Sequence, residues 1–264
     1  MNVTIEQTPY RIYPNTFLQD VVVVMGFEGN VAGGPDWDIP LDRLKTFLLD
    51  NFGFVLPEGE TRNFASLSNN DMGLNFQFYN NKTSLRVNCK NYQSFEATIM
   101  PLVYKLRAYV REVLGRDSVD YVKIRKVNMF PFQLPEQYDE SIYKQMMRHL
   151  LNNDLLDSPS EGSEQIENGK TSLDCHFIED DKYVFTIKTG VINASDRDDV
   201  CVVILDTSSK SKNTDSVALM EIETNIRHQN QRMFDLFHWA VNDEVTDVME
   251  IQPNKDSQED ESSI

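Results

Sequence analysis

The chain has 264 residues, of which 40% are apolar and 10% aromatic. That content excludes an intrinsically disordered chain and is enough for a buried core without disulfide or metal staples. The net charge of −17 is unevenly placed: residues 1–150 carry 16 Lys and Arg against 17 Asp and Glu, whereas residues 151–264 carry 9 against 25. The acidic second half opposes nonspecific binding to DNA or RNA and suits solubility or docking on a basic partner.

Residues 1–15 are polar and hold no apolar h-region, so no signal peptide is expected. The longest apolar run, 21–27, is far short of the roughly 20 residues that span a bilayer. The expectation is a cytoplasmic protein without membrane contact. Cys89, Cys175 and Cys201 are odd in number and widely spaced, which fits reduced, buried thiols rather than a disulfide framework or a zinc site.

In chain order, residues 17–27 read as a strand, with four consecutive valines at 21–24 that suit a strand covered on both faces. Gly26, Gly33, Gly34 and Pro35 make a loop, and residues 38–51 a helix with Leu41, Leu44, Phe47, Leu48 and Phe52 at helical spacing. Residues 64–68, 74–79 and 84–89 form a three-stranded antiparallel meander; Leu74, Phe76 and Phe78 alternate with Asn75 and Gln77. A long helix is predicted over 94–114, ended by Gly115. Pro101 either kinks it or marks its true first turn, with Thr98 as the cap. A strand over 119–129 carries Tyr121, Lys123, Arg125 and Val127 on one face, and a helix over 138–151 follows.

Residues 152–170 are rich in Asp, Glu, Ser and Gly and read as an exposed connection. Strands over 172–178, 183–191 and 200–206 then lead through a polar turn, 208–214, to a long helix over 215–241. Residues 245–251 make one more helical turn or a short strand, and 252–264 a disordered acidic tail. The expected fold is therefore α+β: two similar halves, each an antiparallel sheet covered by a long helix. The halves span 1–152 and 171–251, with the connection at 153–170 between them.

Several short motifs carry a resemblance. Tyr13-Pro14-Asn15 leads into the strand 17–24, and Tyr92-x-Ser94-Phe95-Glu96 follows the meander. Arg125-Lys126-Val127-Asn128 lies in a strand, Leu205-Asp206 in a late strand, and Phe234, Phe237 and 241–244 close the last long helix. In this order they resemble a sporadically distributed family of uncharacterised prokaryotic proteins of about this size. The family usually has Arg-Tyr-Ile-Asn where this chain has Arg125-Lys126-Val127-Asn128, and its late histidine is matched only loosely by His228. The resemblance supplies no catalytic residues. Its patchy distribution implies genes that move, as in phage-defence and toxin–antitoxin cassettes.

No Walker loop, dinucleotide fingerprint, nucleophile elbow, zincin motif or Cys-x-x-Cys occurs. Catalytic residues, a metal site and a cofactor are accordingly not expected. The one basic cluster includes Lys105, Arg107, Arg111, Arg116, Lys123, Arg125 and Lys126. It reads either as an anion or nucleic-acid groove or as pairing with the acidic half of the same chain. Trp239 falls off the apolar stripe of its helix and reads as packing or as an exposed anchor. Tyr13-Pro14-Asn15 reads as a rigid lead-in or a partner-binding element. Asp174 and His176, two apart on a strand, share a face but lack a third member. Asp196, Asp198 and Asp199 lack the glycine and terminal Glu of a calcium loop. The partner- or anion-binding candidates are therefore Arg107, Arg111, Lys123, Arg125, Lys126 and Trp239. The leading expectation is a non-enzymatic subunit or regulator that docks on another protein. The alternative is a nucleic-acid-sensing component using the cluster at 105–126.

Overall fold

Strand β1 (Leu18–Gly26) shows how the sequence makes the sheet. Val21, Val23 and Met25 are fully buried, whereas Asp20, Val22 and Val24 are only partly covered. The strand is thus covered on one face, not two. The computed structural model describes residues 5–14, 16–27, 41–53, 64–69, 73–79, 81–89, 92–137, 141–158, 160, 162–165, 172–179, 181–193, 199–212 and 216–250.

The expected meander forms as β2 (Phe64–Asn69), β3 (Leu74–Tyr79) and β4 (Lys82–Asn88), all antiparallel. A second run forms as β7 (Gly162–Gln165), β8 (Ser172–Glu179), β9 (Tyr183–Asn193) and β10 (Val200–Ser211). Between them lies β6 (Tyr121–Gln133), the longest strand described. All nine join in one antiparallel sheet of order β2-β3-β4-β1-β6-β10-β9-β8-β7. The separate sheet expected for each half is corrected by the pairing of β6 with β1 on one side and β10 on the other. A short pair, β5 (Ser118–Val119) with β11 (Val217–Ala218), stands apart.

Helices α1 (Leu41–Phe52), α2 (Met100–Glu112), α3 (Ser141–Leu150), α4 (Asn153–Leu156), α5 (Ile222–Ala240) and α6 (Asp243–Glu250) supply side chains to a single core. That core runs from Leu44 on α1 and Phe76 on β3 to Tyr183 on β9 and Met249 on α6. The other face carries a small separate group, Val127, Leu173 and Ile204. No helix packs on that face among the described residues.

Pro101 is accommodated by a change of winding. Residues Phe95–Ile99 form a π turn whose first N–H groups are capped by Ser94, with Ala97 N donating to Ser94 Oγ at 3.0 Å. Regular α-helix then begins at Met100, with Pro101 in its first turn, where the missing N–H costs nothing. Ser94, not Thr98, is the cap. Gly115, at φ +63°, ends the helix, and Arg116 N donates to Val110 O as the chain turns away.

Three boundaries differ from expectation. β10 continues to Ser211 through the residues expected to turn, because Thr207, Ser209 and Ser211 face inward, and Ser211 Oγ accepts from Val122 N at 2.9 Å. Helix α5 starts at Ile222, since 217–218 pair with β5. Within 153–170, read as an exposed connection, α4 is capped by Asn152 and buries Leu155, and β7 adds to the sheet. Residues 38–40, 138–140 and the tail 252–264 lie outside the described residues.

Candidate functional site

The six candidate residues do not form one cluster, because β6 sends alternate side chains to opposite faces of the sheet. Arg107 on α2 pairs with Glu223 on α5, and Arg111 is exposed in the last turn of α2. Lys105 donates to Asn51 O at 2.8 Å and lies over the Phe52 ring. Trp239 is half-buried and packs against the main core, while its carbonyl accepts from Asn152 Nδ2 at 2.9 Å. Lys123 and Arg125 face the helix-free side of the sheet. Lys126 faces the helices.

The helix-free face is cationic. Its register sets Arg86 and Arg125 on either side of Val22, and Lys123 beside Val24. Lys210 lies opposite Lys123, and Lys188 opposite Asp206. Lys82 closes the row opposite Gly26. Over the five strands from β4 to β9, the only carboxylates in the same positions are Asp20 and Asp206. Arg86 forks Asp20 at 3.2 and 2.6 Å, and Arg125 forks Asp206 at 2.8 and 2.7 Å. Lys123 is surrounded by like charge: burial first, then Lys188 and Arg125, hold its pKa below the usual lysine value. Lys210 stacks on the Tyr121 ring at 4.2 Å, and that ring lies where a Cβ on Gly26 would stand. Apolar Val22, Val24, Val127 and Ile204 are interleaved with these cations, and long basic stems cover part of that surface.

A pocket of about 120 Å³ opens on the other face, between α5, the middle of β6 and β10, and the N-terminal segment. That segment is strapped to α5. Thr8 N donates to the buried Asp235 at 3.0 Å, Gln231 Nε2 donates to Thr8 O at 2.8 Å, and Tyr13 OH meets His238 Nε2 at 2.8 Å. Arg11 pairs with Glu250 on α6 and donates to Tyr13 OH. The strap therefore roofs the pocket with Tyr10, Tyr13 and Pro14; Asn15 lies outside the described residues.

The pocket floor is polar. Lys126 lines it, and Nζ donates to Asn230 Oδ1 at 2.6 Å and lies 5.5 Å from the Phe95 ring centroid. Burial pushes its pKa down to about 8, and among the described residues no carboxylate pairs with it. Buried Asn128, Thr207 and Ser94 line the same floor. Burial also raises the Cys89 thiol to about 12, raises the Tyr92 phenol and lowers His238.

Asp174 and His176 do share a face of β8, but Asp174 is exposed while His176 is buried against Ser158 Oγ at 3.0 Å. No group of three His, Cys, Asp or Glu side chains converges as for a metal among the described residues. Asp196 and Asp198 lie outside those residues, and Asp199 accepts from Gln133 at 3.0 Å. Among the described residues, no helix is long and apolar enough to cross a membrane.

No protein-family model matches the chain, and no curated protein and no solved structure matches it. The pocket itself was not foreseen from sequence. Several of its residues stand out in sequence for other reasons: Tyr13 and Pro14 as a lead-in, and Ser94, Phe234 and Phe237 within short motifs. Thr207, Met233 and Met249 carry no signal in sequence that they share a cavity.

Proposed function

We propose that the chain is a non-enzymatic, cytoplasmic interaction subunit or regulator, and that its helix-free sheet face docks an acidic partner protein. The observation that carries the reading is the cationic row Lys82, Arg86, Lys123, Arg125, Lys188 and Lys210 on a chain of net charge −17. Concentrating cations on one face against the sign of the whole molecule costs self-repulsion, felt directly at Lys123. Half-buried Val22 and Val24, set between these cations, supply apolar area of the kind found at the centre of protein interfaces. A phosphate-binding face would need cations without that apolar content, and the acidic remainder of the chain would repel nucleic acid. The resemblance named above adds a setting in mobile defence or toxin–antitoxin cassettes.

The same proposal includes two similar halves that share one sheet. Its support is the element order: strand, helix, meander and long helix, as β1-α1-β2-β3-β4-α2 and again from β6 to α5. In each run the last meander strand lies against the first strand, β4 on β1 and β10 on β6.

The test is a pull-down with the tagged full-length chain and its Lys123→Glu/Lys210→Glu variant, with Arg111→Glu on α2 as control. The expected result is a stoichiometric acidic protein lost with the face variant and kept by the control. Capture unchanged by the face variant sinks the reading. Nucleic acid that elutes steeply with salt would replace it by the nucleic-acid alternative.

A further inference from the structure

The pocket beneath the N-terminal strap lies on the opposite side of the sheet from the cationic face, and its chemistry is different. Acids outnumber bases 42 to 25 in the chain, yet among the described residues the pocket is lined by two cations, Lys126 and Arg11, and by no Asp or Glu. A lysine enclosed by protein without a carboxylate is a costly arrangement. Asn230 takes one of its three N–H bonds. The remaining two are available to the cavity that the residue lines. Ser94 Oγ accepts from Ala97 N, which leaves its hydroxyl proton free to donate into the same space. Around this floor the walls are aromatic and apolar: Tyr10, Tyr13, Tyr92, Met233, Phe234 and Phe237.

We propose that this pocket binds a small organic carboxylate with a flat apolar body, the carboxylate on Lys126 and Ser94 and the body between Phe234, Phe237 and the tyrosines of the strap. The ligand class follows from the balance of groups. One enclosed ammonium matches one negative charge, whereas inorganic phosphate would require more donors and gain nothing from aromatic walls. The volume, about 120 Å³, is close to that of an apolar cavity of roughly 150 Å³ that takes up benzene. Pocket size therefore admits a single ring or a short branched chain. Neutral ligands of the same shape would leave the ammonium unmatched.

The experiment uses the full-length chain and three probes: benzoate, its neutral isostere benzamide, and inorganic phosphate. Calorimetry gives the affinities, and amide chemical-shift mapping locates the site. Benzoate, with about nine non-hydrogen atoms, is expected to bind with a Kd of about 1 mM. Benzamide should bind at least about tenfold more weakly, and Lys126→Met should weaken benzoate by about tenfold or more while leaving the fold intact by circular dichroism. Phe234→Ala, which keeps the charge, should weaken benzoate severalfold as an independent check. Shifts should centre on Ser94, Asn128 and Thr207 and leave Lys82 and Lys188 on the cationic face unmoved. Equal binding of benzamide, tighter binding of phosphate, unchanged benzoate binding by Lys126→Met, shifts centred on the cationic face, or no benzoate binding at about 10 mM would each overturn the proposal. The partner pull-down does not involve this pocket, so either idea can fail without the other.

Discussion

Replacing Lys126 by Met should stabilise the protein, because the native lysine carries a charge in a place that disfavours it. The folded-state pKa is about 8 against 10.5 for the free side chain. That difference corresponds to about 3 kcal/mol of destabilisation of the charged form. Methionine keeps the length of the side chain and removes the charge, but it leaves Asn230 Oδ1 without its 2.6 Å donor, which costs about 1 kcal/mol. The net expectation is a gain of about 2 kcal/mol at about pH 7. The sign of the pH dependence follows from the lowered pKa. Below about 8 the lysine is protonated in both states, and stability does not respond to it. Between about 8 and 10.5 the unfolded chain holds the extra proton, so wild-type stability climbs with pH while the variant shows no such climb. The gap between the two proteins should therefore narrow steadily and be gone or reversed near about pH 10.5. Urea denaturation followed by circular dichroism at several pH values measures it directly. A variant less stable than wild type at neutral pH, or a gap that stays constant across the range, would refute the reasoning and give Lys126 a structural ion-pair role.

Four further outcomes are expected. Arg125→Ala strips the fork from Asp206, whose side chain is only 6% exposed, and should cost about 2 kcal/mol in urea denaturation; a loss under about 0.5 kcal/mol would show the pair to be idle. Gly26→Ala places a methyl group 2.0 Å from the Tyr121 ring and should cost about 1 kcal/mol, most of it recovered when Tyr121→Ala is added. Tyr109 is fully buried and its hydroxyl has no partner among the described residues, so Tyr109→Phe should raise stability by about 1 kcal/mol, and a marked loss would reveal a hidden partner. Cys89, Cys175 and Cys201 are buried thiols, Cys89 with its pKa raised to about 12, so an aromatic disulfide reagent should label them only after unfolding; prompt labelling of the native chain contradicts that burial.

Much of the fold was legible because it depends on local periodicity. Phe76 and Phe78 alternating with Asn75 and Gln77 gave β3 its buried face directly. Leu44, Phe47 and Leu48 did the same for α1. The valines at 21–24 were legible as a strand but not as a strand with one covered face. β-Branched residues favour the extended backbone through χ1 whichever side is covered, and arginine and lysine stems beside Val22 and Val24 are apolar enough to shelter them. The polar end of β10 read as a turn because Thr207, Ser209 and Ser211 look like loop residues until a neighbouring strand takes up their hydrogen bonds.

The basic cluster shows the limit most plainly. In sequence, Lys123, Arg125 and Lys126 are neighbours and read as one basic cluster, either a groove or pairing with the acidic half of the same chain. In a strand, adjacent residues point to opposite faces, so Lys126 joins Asn230 and the pocket while Lys123 and Arg125 join Lys210 and Asp206, distant in sequence, on the other side. The chain alone determined that the protein is α+β, roughly where most of its strands and its long helices lie, and that its thiols are buried. Tertiary structure decided that β6 pairs with β1 and β10 in one sheet, and that residues near 10, 94, 126, 207 and 234 enclose one cavity. Periodicity is a property of a few consecutive residues, whereas strand order and cavities arise from contacts between segments far apart in sequence, which no local pattern encodes.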